Sequence, residues 1–219
     1  MLMIKWSYSS LKTYLNCPKQ YYEVKVAKSY TQKDTHHTIY GKEVHKALED
    51  FVKEGTPLPK NYEYIKPVLN SLIDIPGTKY AEREMALTQD LVPCSFDGGD
   101  YWVRGIVDLL IIDGDTAYIV DYKTGNARYA DPKQLKLMAL MTFAHHPEVQ
   151  QIKAGLLFVL KNTFIPEEYK RDEIPKYWQA FRGDLERLKI SFDVGMWPTN
   201  PSGLCGFCPV STCKFYRGE

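Results

Sequence analysis

Asp108, Asp121 and Lys123 are the residues whose types and spacing most directly suggest chemistry. Asp108 closes the segment Arg104-Gly105-Ile106-Val107-Asp108, and the other two lie in Tyr118-Ile119-Val120-Asp121-Tyr122-Lys123-Thr124-Gly125. Between them stands Asp113-Gly114-Asp115, a Gly/Asp cluster able to supply the positive φ of a tight turn. Both arms are rich in Val, Ile, Leu and Tyr, so the stretch reads as a β-hairpin. With Gly114-Asp115 as a two-residue loop, Asp108 falls directly across from Asp121. The period of two puts Ile119, Asp121 and Lys123 on one side of the second arm and Tyr118, Val120 and Tyr122 on the other. Opposed side chains have Cβ atoms roughly 4.5–5.5 Å apart, and two carboxylates that close repel unless one takes a proton or a cation lies between them. A divalent metal resolves the conflict. Hard oxygen ligands suit Mg²⁺ or Mn²⁺, and Lys123 is then placed to orient a water or stabilise charge developing on a phosphate. The plainer alternative is a surface hairpin with solvated acids, against which stand Ile106, Leu110 and Ile119 on the same face.

A second group of chemically active residues is the cysteines. Cys205-x2-Cys208-x4-Cys213 occupies a Gly- and Pro-containing segment near the end of the chain, and Cys17 and Cys94 are the remaining candidates for a fourth thiolate. Four cysteines can hold Zn²⁺, and the binding free energy would then add to folding.

The elements that must position these residues follow from periodicity and punctuation. Ser7 to Asn16 suits a short amphipathic helix ending at Cys17-Pro18. Gln20 to Val26 mixes aromatics with lysines, either as core residues with solvated charges or as a platform for unstacked bases. Thr38 to Glu54 carries a helical apolar stripe at Val44, Leu48, Phe51 and Val52, with Gly41 a turn before and His45 within or beside it. A second helix is expected over 64–75 and is stopped by Pro76-Gly77. Tyr80 to Leu87 alternates as a strand with Glu82 and Glu84 on one side, and 91–99 is a loop holding Cys94. Asp131-Pro132 starts a helix running to about His145, with Gln134 in its first turn. Ile152 to Leu160 is an inner strand, and 175–192 a helix whose aromatics belong to the core.

The chain has 219 residues, 44% of them hydrophobic, enough for one sizeable core, and a single domain spanning 1–219 is expected. No long apolar run and no apolar signal core are present, so neither a membrane span nor secretion is expected, and a cytoplasmic location follows. The 28 Lys and Arg against 27 Asp and Glu give no global basic footprint. The first sixty residues nevertheless lean basic, with Lys5, Lys12, Lys19, Lys25, Lys28 and Lys33 preceding most of their acids.

Gly105-x2-Asp108 and Asp121-x-Lys123 resemble the signature of the PD-(D/E)xK nuclease superfamily, and within it the RecB-like exonucleases. Gly41-x3-His45 is similar to that family's histidine motif, and Ser9-Ser10-Leu11 through Cys17-Pro18 and Tyr21-Tyr22 to its N-terminal segment. The resemblance implies a restriction-endonuclease-like α/β fold: a central mixed sheet flanked by helices, with a helical N-terminal part and cysteine-clamped termini. It implies His45, Asp108 and Asp121 as ligands of Mg or Mn, with the main-chain carbonyl of Tyr122 a further ligand, and Lys123 acting on the water and the transition state. Glu82, preferred to Glu84, supports the metal site, and Gln134 approaches the metal-bound water or the DNA backbone; Met138 stands where an aromatic often follows. In the CRISPR-associated and AddB-type iron–sulfur members an N-terminal cysteine joins a C-terminal trio, so Cys17, Cys205, Cys208 and Cys213 are expected to hold a [4Fe–4S] cluster, with structural Zn as the alternative. The activity implied is metal-dependent exonuclease action on single-stranded DNA or duplex ends, in the company of recombination or CRISPR partner proteins. A structure-specific endonuclease and a non-catalytic DNA-binding accessory module are the rival readings.

Overall fold

The computed structural model describes residues 4–32 and 34–218, without the side chain of Tyr129; Lys33, one of the basic residues named above, lies outside the described residues. Contacts group the chain into two compact units, His36–Trp178 and Met1–Thr35 with Gln179–Glu219.

The hairpin organises the first of these. Strands β2 (Val103–Asp113) and β3 (Thr116–Lys123) pair antiparallel, with Leu110 facing Ile119 and Asp113 facing Thr116, the register that a Gly114-Asp115 loop dictates. Gly114 supplies the positive φ of +59° that this turn requires. Strand β1 (Thr78–Leu87) pairs antiparallel with β2, β4 (Gln151–Phe158) runs parallel to β3, and β5 (Thr163–Lys170) returns antiparallel to β4. Among the described residues these strands form one mixed sheet in the order β1-β2-β3-β4-β5. Gly77, at φ +107°, leads into β1 so close to β2 that a Cβ there would lie 2.2 Å from the carbonyl oxygen of Ile112.

Helices cover the sheet because its strands are apolar on both faces. Helix α3 (His36–Glu54), a 3-10 turn (Lys60–Ile65) and α4 (Lys66–Ile73) place Val44, Leu48, Tyr62, Ile65 and Leu69 against Leu109, Ile111, Val120, Tyr122 and Leu157. Each fully buried aliphatic side chain in such a layer stabilises by about 1.5–3 kcal/mol. The single helix expected over 64–75 is thus divided, and Pro67 in the first turn of α4 suits the start of a helix rather than its middle. Helix α5 (Lys133–His145) makes the crossover between parallel β3 and β4, and eight of its side chains are buried, from Leu135 to Phe143. Asp131 Oδ1 accepts from Lys133 N–H at 3.1 Å and so serves the helix start.

In the unit formed by Met1–Thr35 with Gln179–Glu219, α1 (Tyr8–Asn16) begins at a capping box in which Ser7 and Ser10 exchange backbone-to-hydroxyl bonds of 3.3 and 2.9 Å. Helix α2 (Pro18–Tyr21) runs into a π-helical turn (Tyr22–Val26). Helix α6 (Ile174–Val194) contributes its residues from Gln179 onward. Trp6 packs on Phe181, and Tyr21, 3% exposed, stacks on Trp197 with ring centroids 5.9 Å apart. Tyr21 is therefore core, not a platform for bases.

Candidate active site

The site begins where regular pairing stops. The β2–β3 ladder runs as far as Leu109 opposite Val120, one pair short of the two acids. Asp108 itself accounts for this, because its Oδ2 accepts from the main-chain N–H of Tyr122 at 2.6 Å. On the other side of β2, pairing passes from Ala81–Leu109 to Arg83–Val107 and leaves Glu82 and Asp108 out of the ladder. Glu82 has φ +50°, a left-handed conformation that costs a glutamate about 1–3 kcal/mol and is met mainly where function over-determines the backbone.

Helix α3 brings His45 to this interruption. Its Nε2–H donates to the Tyr122 carbonyl at 3.0 Å, and its Nδ1 lies 3.5 Å from Asp108 Oδ2 and 4.0 Å from Glu82 Oε1. His45, Glu82 and Asp108 each offer one ligand atom, all within 4.8 Å of one another. Asp121, 2% exposed, takes a different set of partners. Its Oδ1 accepts from Gln134 Nε2 at 2.8 Å, Gln134 Oε1 accepts from Lys123 Nζ at 2.8 Å, and Lys123 Nζ stands 2.5 Å from Asp121 Oδ2. That last contact is an ion pair without hydrogen-bond geometry, so Oδ2 is left with no hydrogen-bond donor.

The electrostatics express crowded acid. Burial, then the charge of Asp108, pushes the Glu82 carboxyl up to about 7. The same two causes raise Asp121, against the pull of Lys123 and His45. Burial alone would lower the His45 pKa, but the hydrogen bond and charge of Asp108, helped by Glu82 and Asp121, hold it above its ordinary value. Each perturbation shows a site short of positive charge, which a divalent cation relieves. The donors fit one: an imidazole, hard carboxylate oxygens and a buried carboxylate oxygen without a hydrogen-bond donor.

A family model of the PD-(D/E)XK nuclease superfamily matches residues 5–213. The chain belongs to the PD-(D/E)XK nuclease superfamily. Members of this superfamily generally use divalent metals, and the membership implies nuclease activity. No curated protein matches the chain. Among solved structures, one titled "Crystal structure of SSO0001" is similar at a TM-score of 0.50 and 16% identity, over 99% of this chain and 88% of that one, a likeness of fold.

Of the residues singled out in the sequence of this superfamily member, His45, Glu82, Asp108, Asp121, the Tyr122 carbonyl, Lys123 and Gln134 come together, whereas Glu84 is exposed. Glu82 stands among the ligand atoms themselves rather than behind them. Sequence reasoning passed over Lys42, Lys46 and Glu49, which line a cleft with Gly41, His45 and Glu82; the spacing of Lys42 three before and Glu49 four after His45, with Lys46 four after Lys42, on one helix was the available signal.

In the other unit, Cys17, Cys205, Cys208 and Cys213 line one cavity, while Cys94 belongs to His36–Trp178. Burial raises the Cys208 thiol pKa, a backbone hydrogen bond at Val210 opposes this, and the neighbouring Cys17, Cys213 and Cys205 add to it. Among the described residues, no three of these sulfurs lie within 4.8 Å of one another. No helix of the described residues is long and apolar enough to cross a membrane.

Proposed function

We propose that this protein is a metal-dependent DNA exonuclease acting on single strands or duplex ends. The observation that carries the reading is the adjacency of two sets: the ligand group of His45, Glu82 and Asp108, and the ring of Asp121, Lys123 and Gln134. His45, Asp108 and Glu82 would hold Mg²⁺ or Mn²⁺, with Asp121 and the Tyr122 carbonyl as further ligands. Bound there, the ion makes a coordinated water acidic and takes up charge developing on the phosphate. Gln134 fixes both Asp121 and Lys123, so the ammonium cannot fold away from the carboxylate face. An ammonium proton of Lys123 not given to Gln134 can orient the attacking water and meet the transition-state charge.

The reading gives the four cysteines a [4Fe–4S] cluster, with structural zinc as the alternative, and is supported by Cys17, Cys205, Cys208 and Cys213 lining one cavity. Residues 1–219 would form one nuclease domain in which the cluster clamps the two ends, a reading supported by a family match that enters both units. A cytoplasmic location would keep the thiols reduced and available as ligands. Recombination or CRISPR proteins are the partners this reading implies. Incubation with Mn²⁺ and end-labelled single-stranded DNA tests it. Nucleotides released progressively from linear DNA, with a closed circle intact, are expected; nicking of the circle would make the protein an endonuclease, and inertness on both would leave it a binding module.

A further inference from the structure

Charge is unevenly divided between the two units. Met1–Thr35 with Gln179–Glu219 carries eleven Lys and Arg against six Asp and Glu, whereas His36–Trp178 carries 17 against 21. The near-neutral whole conceals a basic unit and an acidic one. Away from the proposed metal site, the basic unit is therefore the one whose net charge favours a polyanion.

In both units some lysines are neutralised by ion pairs, in the basic one Lys19 with Glu23 and Lys189 with Asp193. On α3, Lys46 pairs with Asp50 at 2.7 Å and Lys53 with Glu49 at 2.6 Å. In the basic unit, exposed Lys25, Lys28, Lys214 and Arg217 form no ion pair with a described residue. They belong to one locally bonded assembly. Lys25 lies in the π-helical turn, and Lys28 follows it with φ +54°. The same segment is tied to the cysteine loop by Tyr30 Oη and Thr212 Oγ1 at 2.8 Å and by Gln32 Nε2 donating to the Phe207 carbonyl at 3.3 Å. Lys214 and Arg217 extend from that loop. A π-turn and a left-handed lysine in succession are two uncommon backbone states in one short stretch, of the kind retained at functional positions.

We propose that Lys25 and Lys28, with Lys214 and Arg217, grip the phosphate backbone of single-stranded DNA, making the cysteine-bearing unit the electrostatic handle of the nuclease. The proposal rests on the nuclease reading for its ligand, and its test needs no cleavage. Binding of the full-length protein to fluorescein-labelled oligo-dT is followed by anisotropy without divalent metal over a range of salt concentrations. Each phosphate contact on a single strand contributes a slope of about −0.7 in log K against log salt. Lys25→Ala with Lys28→Asn, the latter chosen because asparagine tolerates positive φ, is expected to flatten the slope by about 1.4 and weaken binding roughly tenfold or more at 0.1 M salt. Lys214→Gln with Arg217→Gln should act alike if the first pair disturbs folding, which circular dichroism reports. Lys60→Ala with Lys66→Ala removes the same charge from the acidic unit and should leave the slope unchanged. Wild-type slopes in both variants of the basic unit, or an equal flattening in the acidic-unit control, would overturn the proposal. A protein that binds with the expected slopes yet never cleaves DNA refutes the exonuclease and leaves the grip standing.

Discussion

The carboxylate site and the cysteine cavity pose the same problem, like groups held close together, and meet it by different means. At the carboxylate site the strain is held by the backbone: Asp108 takes the Tyr122 amide, Gln134 spans Asp121 and Lys123, and Glu82 accepts a left-handed conformation. The sheet and α5 fix the geometry whether or not an ion is bound. At the cysteines the four thiols line one cavity, no three of the described sulfurs within 4.8 Å of one another, on short helices and a loop with little regular pairing. The proposed divalent ion would load a site that the fold has already built, while the proposed cysteine centre would complete one that the fold has only gathered. The lesson is that a metal's contribution to stability depends on how much of its ligand geometry the fold has already fixed.

Removing the built site's chemistry should produce the largest effect. Asp108→Ala, Asp121→Ala or Lys123→Ala should each lower cleavage on the order of 10²–10³-fold or more; the thermal midpoint should hold or rise in Asp108→Ala and Asp121→Ala, which remove a crowded acid, and fall in Lys123→Ala, which strips buried Asp121 of its ammonium. Full activity in Asp121→Ala would sink the assignment. The comparison sharpens if cysteine changes do the reverse. Serine at Cys17, Cys205, Cys208 or Cys213 should bleach an anaerobically prepared brown protein and lower the midpoint by on the order of 10 °C, with Cys94→Ser doing neither. Iron and sulfide analysis checks the centre; one equivalent of zinc would make it a Cys₄ site, and a metal-free protein of full stability would break the contrast.

His45→Ala should cost about 10–100-fold in metal affinity, partly restored by high Mn²⁺ in a metal titration of the cleavage rate. The smallest expected effect is a pH trend. Glu82 is raised from 4.5 to about 7 in the folded protein, so its contribution to stability is full below 4.5 and is lost as pH rises through 7. His45, also held high, has the same sign. The midpoint of protein without divalent metal should therefore fall between pH 5 and 8, Mn²⁺ should reverse the fall, and Glu82→Gln should flatten it. A midpoint that climbs across that window would show that the acids are not crowded.

Much of this was legible in the residues. Asp113-Gly114-Asp115 fixed the hairpin register because a two-residue loop admits one pairing, and the DxK spacing placed Asp121 and Lys123 on one face. Gln134 could be placed because Asp131-Pro132 marks the start of its helix. What could not be read was the break in the ladder at Asp108, which arises from a side chain competing with backbone for one amide. Strand β5 was also missed: Pro166 sits inside Thr163–Lys170, tolerable only because the strand lies at the edge of the sheet. The uneven partition of charge escaped notice because it follows units built from both ends of the chain, not a continuous stretch of sequence.

The crossover of α5 between β3 and β4 bears on how the site comes into being. Lys123 and Asp121 meet Gln134 across separations of 11 and 13 residues, whereas His45 reaches the Tyr122 carbonyl across 77. Closing the short loop costs little entropy and the long one more. The hairpin and the helix after it can thus bring Asp108, Asp121, Lys123 and Gln134 together at small entropic cost, while His45 joins them only by closing a loop several times longer.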